Sequence, residues 1–295
     1  RGVAHALGTD RGTVKNAVET FMAEYLYGGN MTYAERYTQT MNGGLRGDDV
    51  TLTLDAGLCA YIYSIFPQDK NGAAVVMNYK TGELYALCSF PTFDPNAGGY
   101  VGINLSLNRA TRWLSAPGST FKIVTLSSAL QNLPDAENRT YECTGGVSFG
   151  EHQRTVRDYG GPSHGSLHLL QAFTRSCNST FAMAAVELGD KALRRTAESF
   201  GIGDDFTFRD LVVENSAFSL HMCMIASAVA NDGVMMEPRL LLRAVSPAGK
   251  VRAAFEPIPY RTALSPEIAS TVRGYMRQVV SSGTGRSAQV KGLSI

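Results

Sequence analysis

The 295-residue sequence predicts a mixed α/β (α+β) fold in which helices flank a mainly antiparallel sheet, and three observations carry that expectation. Two short apolar runs, Ala74 to Met77 and Leu84 to Cys88, flank a turn at Tyr79 to Glu83, which is the pattern of an antiparallel hairpin. After Ser119, after Asn178 and after Ser265 the apolar residues recur at helical spacing instead. Hydrophobic residues make up 44% of the chain, enough for one large core or two domains.

Taken in order, residues 1 to about 46 read as mostly helical, with Val18, Phe21, Met22 and Tyr25 spaced for one face before Asn42-Gly43-Gly44 interrupts. From Val50 strands dominate briefly, and the hairpin is expected at the edge of the sheet. Pro117 and Gly118 break helices, so a new helix starts near Ser119 and turns its stripe of Ile123, Leu126 and Leu130 into a core. Ser166 can cap a helix bearing Leu167, Leu170 and Phe173 that runs to Arg175. A second apolar pattern, through Phe181, Met183, Ala184 and Val186, begins just after Asn178, so Ser176 and Asn178 fall on the intervening turn. In extended backbone, residues i and i+2 point the same way. Ser265-Pro266-Glu267 starts a long helix whose stripe, Ile268, Val272, Met276 and Val279, stops at Gly283 and packs on the sheet.

Several function classes are disfavoured. A net charge of +1 offers no electrostatic ground for nucleic-acid binding. No run of about 18 apolar residues exists, and the N-terminus has the pattern of neither a signal peptide nor a membrane helix. Cys59, Cys88, Cys143, Cys177 and Cys223 are odd in number and contain no C-x-x-C, which argues against a disulfide framework and against a zinc site. His5, His152, His164, His168 and His221 lack metal-ligand spacing and are read as structural or exposed. No metal and no cofactor are expected. Gly283-Thr284-Gly285-Arg286-Ser287-Ala288 matches G-x-G-x-x-A, but the dinucleotide motif needs a strand before it, and here a helix precedes it.

The chemistry concentrates at Ala116-Pro117-Gly118-Ser119-Thr120-Phe121-Lys122. Positions i and i+3 share a helix face, so Ser119 and Lys122 are neighbours at a helix start. A serine hydroxyl needs a base to become a nucleophile, and a desolvated lysine can be that base. The Ser119 N–H, with the helix dipole behind it, can also face a developing oxyanion. Ser-x-x-Lys alone occurs by chance about once in a chain of this size. Ser176-Cys177-Asn178, 57 residues downstream of Ser119, adds the second part of a known signature. Within it, Cys177 reads as a small residue packed beneath the site and not as a nucleophile.

From these motifs the chain resembles the transpeptidase domain of a class B penicillin-binding protein, from about Gly47 to the last residue. Further matches come in the family's order. Gly47 to Asp55 resembles its opening strand, and Gly72 to Met77 followed by Lys80 to Glu83 resembles its first hairpin. Phe90 to Asn96 and Asn108-Arg109-Ala110 resemble the approach to the nucleophile, while Ala230 to Gly233 with Pro238, and Gly283-Thr284-Gly285 with Ala288, resemble later landmarks.

The resemblance implies a β-lactamase/transpeptidase-like fold with an all-helical subdomain. Residues 1–46 would be the C-terminal part of a membrane-proximal noncatalytic module, and residues 47–295 the penicillin-binding transpeptidase domain. It implies catalysis by Ser119, Lys122, Ser176 and Asn178 on peptidoglycan stem peptides, with β-lactam antibiotics entering the same acyl-enzyme route. A preceding membrane anchor, an extracytoplasmic catalytic domain and partners in the cell wall synthesis machinery of division or elongation are implied as well.

One element departs from the family's pattern. The literal Lys80-Thr81-Gly82 precedes the nucleophile and lies in the hairpin turn, so it is not the cleft-lining triplet. That triplet would follow Ala288 on the next strand, and Lys291 to Ile295 resembles the approach to it, so the domain is expected to be incomplete at its C-terminal end. Three alternatives stay open: a serine β-lactamase, a β-lactam sensor domain and a nonenzymatic scaffold of the cell wall machinery.

Overall fold

In the computed structural model, which describes residues 1–9, 14, 17–97, 101–150, 154–213, 218–293 and 295, the expected hairpin pairs Gly72–Met77 with Leu84–Phe90 in antiparallel register. Leu84, Ala86, Leu87, Cys88 and Phe90 are buried, whereas the facing strand is only half-buried. The helix Ala56–Ile65 covers this sheet, started by Asp55, whose side chain accepts from Leu58 N at 2.8 Å. Its Cys59 joins Ala86, Cys88 and Phe90 in one apolar cluster.

The hairpin is not the edge of a larger sheet. Among the described residues it forms a two-stranded sheet, and a separate three-stranded antiparallel sheet joins Asp49–Leu52, Leu241–Val245 and Val251–Ala254. The two are joined at the bridge of Glu83 and Arg239, where Leu84 N donates to Arg239 O at 3.0 Å and Thr53 Oγ1 donates to Leu84 O at 2.7 Å. Gly82 makes that approach feasible. Its φ is +77°, and a Cβ there would lie 2.0 Å from Glu237 O, so the Lys80-Thr81-Gly82 triplet has a structural reason for its glycine.

Residues 1–46 are helical in short pieces: Ala4–Leu7, Val18–Phe21, Ala23–Leu26 and Tyr33–Met41. Of the expected face, Val18 and Met22 are buried. The longest piece begins with a capping box, in which Thr32 and Glu35 satisfy each other's backbone N–H. Arg252 then ties it to the three-stranded sheet, reaching Glu35 at 2.9 Å.

These elements belong to one of two compact units, comprising residues 1–115, 203–227 and 236–260. The second unit holds residues 116–202, 228–235 and 261–295. At its centre is the helix Lys122–Asn132, preceded by a 3-10 turn at Gly118–Phe121. Residues Val124 to Ala129 are buried on every side, so the core is not confined to the expected stripe, and Ile123 and Leu130 are only half-buried. The helices Leu169–Thr174, Asn178–Ser199 and Pro266–Ser282 pack around it.

Two expectations fail here for one reason. Ser166 does not cap a helix, because Gly165–His168 pairs antiparallel with Thr140–Cys143 and Ser166 lies opposite Glu142. The helix begins later, with Gln171 accepting from His168 N at 3.2 Å. The final helix is bounded as expected, with the Ser265 side chain accepting from Ile268 N. Its main partners, however, are the helices Lys122–Asn132 and Leu169–Thr174 and not a sheet. Long-range packing decided both. No helix of the described residues is long and apolar enough to cross a membrane.

Candidate active site

The four expected residues, Ser119, Lys122, Ser176 and Asn178, converge in the second unit. Gly118 at φ +55° lets the chain swing from Pro117 into the 3-10 turn, which leaves Ser119 exposed on its outer side. Lys122, one turn later, is 8% exposed and opens the helix beneath. Its Nζ donates to Ser119 Oγ at 2.9 Å, to Ser176 Oγ at 3.2 Å and to Asn178 Oδ1 at 2.6 Å. Ser176 Oγ closes the triangle with a bond to Ser119 Oγ at 3.0 Å.

Ser176 and Asn178 reach this point by a different route from the one expected. The helix Leu169–Thr174 ends with Ser176 N bonded to Phe173 O and Cys177 N to Ala172 O, and Ser176 takes the left-handed conformation at φ +55°. Asn178 is already the first residue of the next helix. A left-handed residue followed by a helix start thus does what an extended turn was expected to do. Asn178 Nδ2 donates to Arg157 O at 2.9 Å, which aims Oδ1 at the lysine.

Protonation follows from this arrangement. As an ammonium, Lys122 has three N–H bonds for its three partners. As a neutral amine it has two and a lone pair. Asn178 Oδ1 can only accept, so it keeps one N–H, and the lone pair must face a hydroxyl. Burial pushes the Lys122 amine below the ordinary lysine range, opposed by the nearby Cys177 and Asp158.

Asp158 was not among the residues the sequence pointed to. Its buried carboxylate accepts from the backbone N–H groups of Asn178 and Ser179 and from Ser179 Oγ at 2.7 Å, at the N-terminus of the Asn178–Ser199 helix. Burial opposes its ionisation, but the hydrogen bonds from Ser179, Cys143 and Asn178 prevail and hold the carboxyl below its usual range. An aspartate in Val156-Arg157-Asp158-Tyr159-Gly160 carries no sign of this in sequence.

A cleft of about 280 Å³ opens onto Ser119, Lys122 and Ser176. Its apolar wall includes Ile123, Phe173, Met276 and Val279, and Thr284 stands at the rim. Two residues expected in the core stripe of the last helix, Met276 and Val279, thus face the cleft. Gly283 lets the helix end close against its neighbour: a Cβ there would lie 2.4 Å from Thr174 O. Thr284 N then donates to that same carbonyl at 3.2 Å.

Two of the cysteines and one histidine lie together with Asp158 in the second unit. His152 lies outside the described residues, and His5 and His221 are buried. His164, however, places Nδ1 3.4 Å from Cys143 Sγ and 3.8 Å from Asp158 Oδ2, with Cys177 Sγ 3.6 Å from that oxygen. Linear spacing shows none of this, because a strand end, two loop positions and a helix cap supply the four side chains.

Comparison with known proteins identifies the family and the fold. Residues 72–295 match the family described as the penicillin binding protein transpeptidase domain. The chain is 29% identical over 261 residues to penicillin-binding protein PbpB of Mycolicibacterium smegmatis, covering 77% of this chain and 39% of that protein. It is 25% identical over 245 residues to the peptidoglycan D,D-transpeptidase PbpA of the same species, covering 70% and 50%. The chain therefore spans half or less of these relatives. Among solved structures, it superposes on the D,D-transpeptidase domain of a peptidoglycan glycosyltransferase from Eggerthella lenta with a TM-score of 0.79 at 28% identity, covering 95% of this chain and 73% of that one. It shares the fold of penicillin-binding protein A from M. tuberculosis, solved as a penicillin G acyl-enzyme complex, with a TM-score of 0.86 at 22% identity over 99% and 77% of the two chains.

Proposed function

We propose that this chain, which belongs to the penicillin-binding protein transpeptidase domain family, is a serine D,D-transpeptidase that cross-links peptidoglycan stem peptides and is acylated by β-lactams. The observation that carries the reading is the placement of Lys122 Nζ within hydrogen-bond reach of Ser119 Oγ, Ser176 Oγ and Asn178 Oδ1 together. A scaffold needs no such convergence on one buried amine.

In this reading Ser119 Oγ attacks the carbonyl of the penultimate D-alanine while Lys122 takes its proton. The new ester bond forms as the C–N bond to the terminal D-alanine breaks, and Ser176 relays the proton from Lys122 to the leaving nitrogen. An amine of a neighbouring stem peptide then attacks the ester, the amide cross-link forms, and Ser119 regains its proton. Asn178 holds the lysine and hydrogen-bonds the substrate amide. The apolar wall of the cleft suits the apolar surface of a substrate whose orientation the polar groups around Ser119 fix. Residues 47–295 form the transpeptidase domain and residues 1–46 the end of a membrane-proximal module, with catalysis on the outer side of the cytoplasmic membrane beside other cell wall synthesis proteins.

Labelling the full-length protein with a fluorescent penicillin and mapping the adduct tests the assignment. A single, slowly hydrolysed adduct at Ser119 is expected, together with release of D-alanine from a stem-peptide donor. An adduct at Ser115, Ser176 or Cys177 overturns the residue assignment, and rapid turnover of penicillin points to a β-lactamase.

A further inference from the structure

We propose that Cys143, Asp158, His164 and Cys177 bind one zinc ion in a closed tetrahedral site directly behind the Ser176–Asn178 turn. Their donor atoms, two sulfurs, one imidazole nitrogen and one carboxylate oxygen, all lie within 4.8 Å of one another. Zinc sits about 2.3 Å from sulfur and about 2.0 to 2.1 Å from nitrogen or oxygen, so the edges of its tetrahedron are roughly 3.3 to 3.8 Å long. Four of the six edges are 3.1, 3.4, 3.6 and 3.8 Å, the last three within that range and the first slightly short of it. The side chains are already arranged around one point.

Hydrogen bonding alone serves this cluster poorly. Asp158 Oδ2 has two lone pairs, yet it is approached by Ser179 Oγ at 2.7 Å, Cys143 Sγ at 3.1 Å, Cys177 Sγ at 3.6 Å and His164 Nδ1 at 3.8 Å. Thiols are weak donors, and both sulfurs are fully buried. An ion at the centre satisfies both sulfurs and the imidazole nitrogen at once and leaves Ser179 Oγ as the hydrogen-bond donor to Oδ2.

The donor set selects the metal. Two thiolates with an imidazole disfavour magnesium, calcium and manganese, carboxylate is an accepted zinc ligand, and four protein ligands with no open position are the form of a structural zinc site. The surrounding bonds are of the kind that orient metal ligands. Asp158 Oδ1 is held by the N–H groups of Asn178 and Ser179, while Cys143 O accepts from His164 N at 3.1 Å and from Ser163 Oγ at 2.9 Å. Binding is balanced in charge: one Zn²⁺ enters, two thiol protons leave, and the site stays at −1. The field that Asp158 exerts on Lys122 therefore keeps its sign.

The consequence is mechanical. Cys177 stands between Ser176 and Asn178, so the ion would tie both to the strand end at Cys143 and to the loop carrying Asp158 and His164. These four act as positioning residues.

The test uses the full-length protein purified under reducing conditions without chelator from zinc-supplemented culture. Elemental analysis should find about one zinc per chain in the wild type and in Ser119→Ala, and little in Cys143→Ser or His164→Ala, whose affinity should fall by at least about 100-fold. Cobalt(II) added to chelator-stripped wild type should give thiolate-to-metal charge transfer in the near ultraviolet and the intense visible bands of tetrahedral cobalt, a readout that needs no variant. Wild-type protein without stoichiometric zinc and without these bands overturns the proposal. So does a Cys143–Cys177 disulfide in protein isolated from its native compartment. Penicillin labelling of Ser119 is scored separately, so failure of the metal site and failure of the transpeptidase reading are distinct results.

Discussion

Lys122 Nζ and Asn178 Oδ1 lie 2.6 Å apart, joined across 56 positions of the chain. Because an amide oxygen cannot donate, this bond fixes one N–H of the amine and leaves the rest of its valence to the two serine hydroxyls. The proton acceptor proposed for Ser119 is thus oriented by a residue on another helix.

Lys122→Arg keeps the positive charge but supplies no base, since guanidinium stays protonated in proteins. Penicillin acylation, measured as the second-order rate of adduct formation, should fall by roughly 100-fold or more. A near-normal rate would show that Lys122 acts only as a charge.

The pH dependence follows from the direction of the Lys122 shift. A protonated amine cannot accept the Ser119 proton, so the acylation rate should rise as pH rises through the Lys122 titration. Burial places that rise below the ordinary lysine range. A profile that is flat, or that rises only in the ordinary lysine range, would contradict the arrangement.

Ser176 has two separable roles. Ser176→Ala and Ser176→Gly both remove the hydroxyl and should slow acylation equally, with the adduct still at Ser119. At φ +55°, however, glycine carries no left-handed penalty, so urea unfolding should find Ser176→Gly more stable than Ser176→Ala by roughly 1 kcal/mol. Equal stabilities would mean that the backbone strain is absent.

Asn178→Ala removes the fixed acceptor for Lys122 and the donor to Arg157 O. Acylation should slow by about 10-fold to 100-fold through loss of positioning, without moving the adduct. An unchanged rate would assign the orientation of Lys122 to Ser176 alone.

Gly283→Ala would force a Cβ to within 2.4 Å of Thr174 O. Separating the two backbones should cost about 1 to 3 kcal/mol in chemical denaturation, and it should widen the cleft beside Thr284. A variant as stable as the wild type would show that the helix end can move away freely.

The sequence by itself determined what lies within one turn of the chain. Ser119 and Lys122 are neighbours because helical geometry sets positions i and i+3 on one face, and the last helix runs from Ser265 to Gly283 because a serine cap, a proline at the first position and a closing glycine act locally. The Ser-x-Asn triplet was legible as well, though its left-handed serine was not. Tertiary structure decided the rest. Ser166 was taken from a helix cap by pairing with the strand Thr140–Cys143, and Met276 and Val279 were turned from core to cleft by packing against other helices. Asp158 and His164 gained their neighbours only when a strand end, a loop and a helix N-terminus met at Cys143 and Cys177. Local preferences are worth about a kilocalorie per residue or less, so burial and long-range hydrogen bonding override them wherever distant segments converge, and the groups beneath this site are assembled by that convergence.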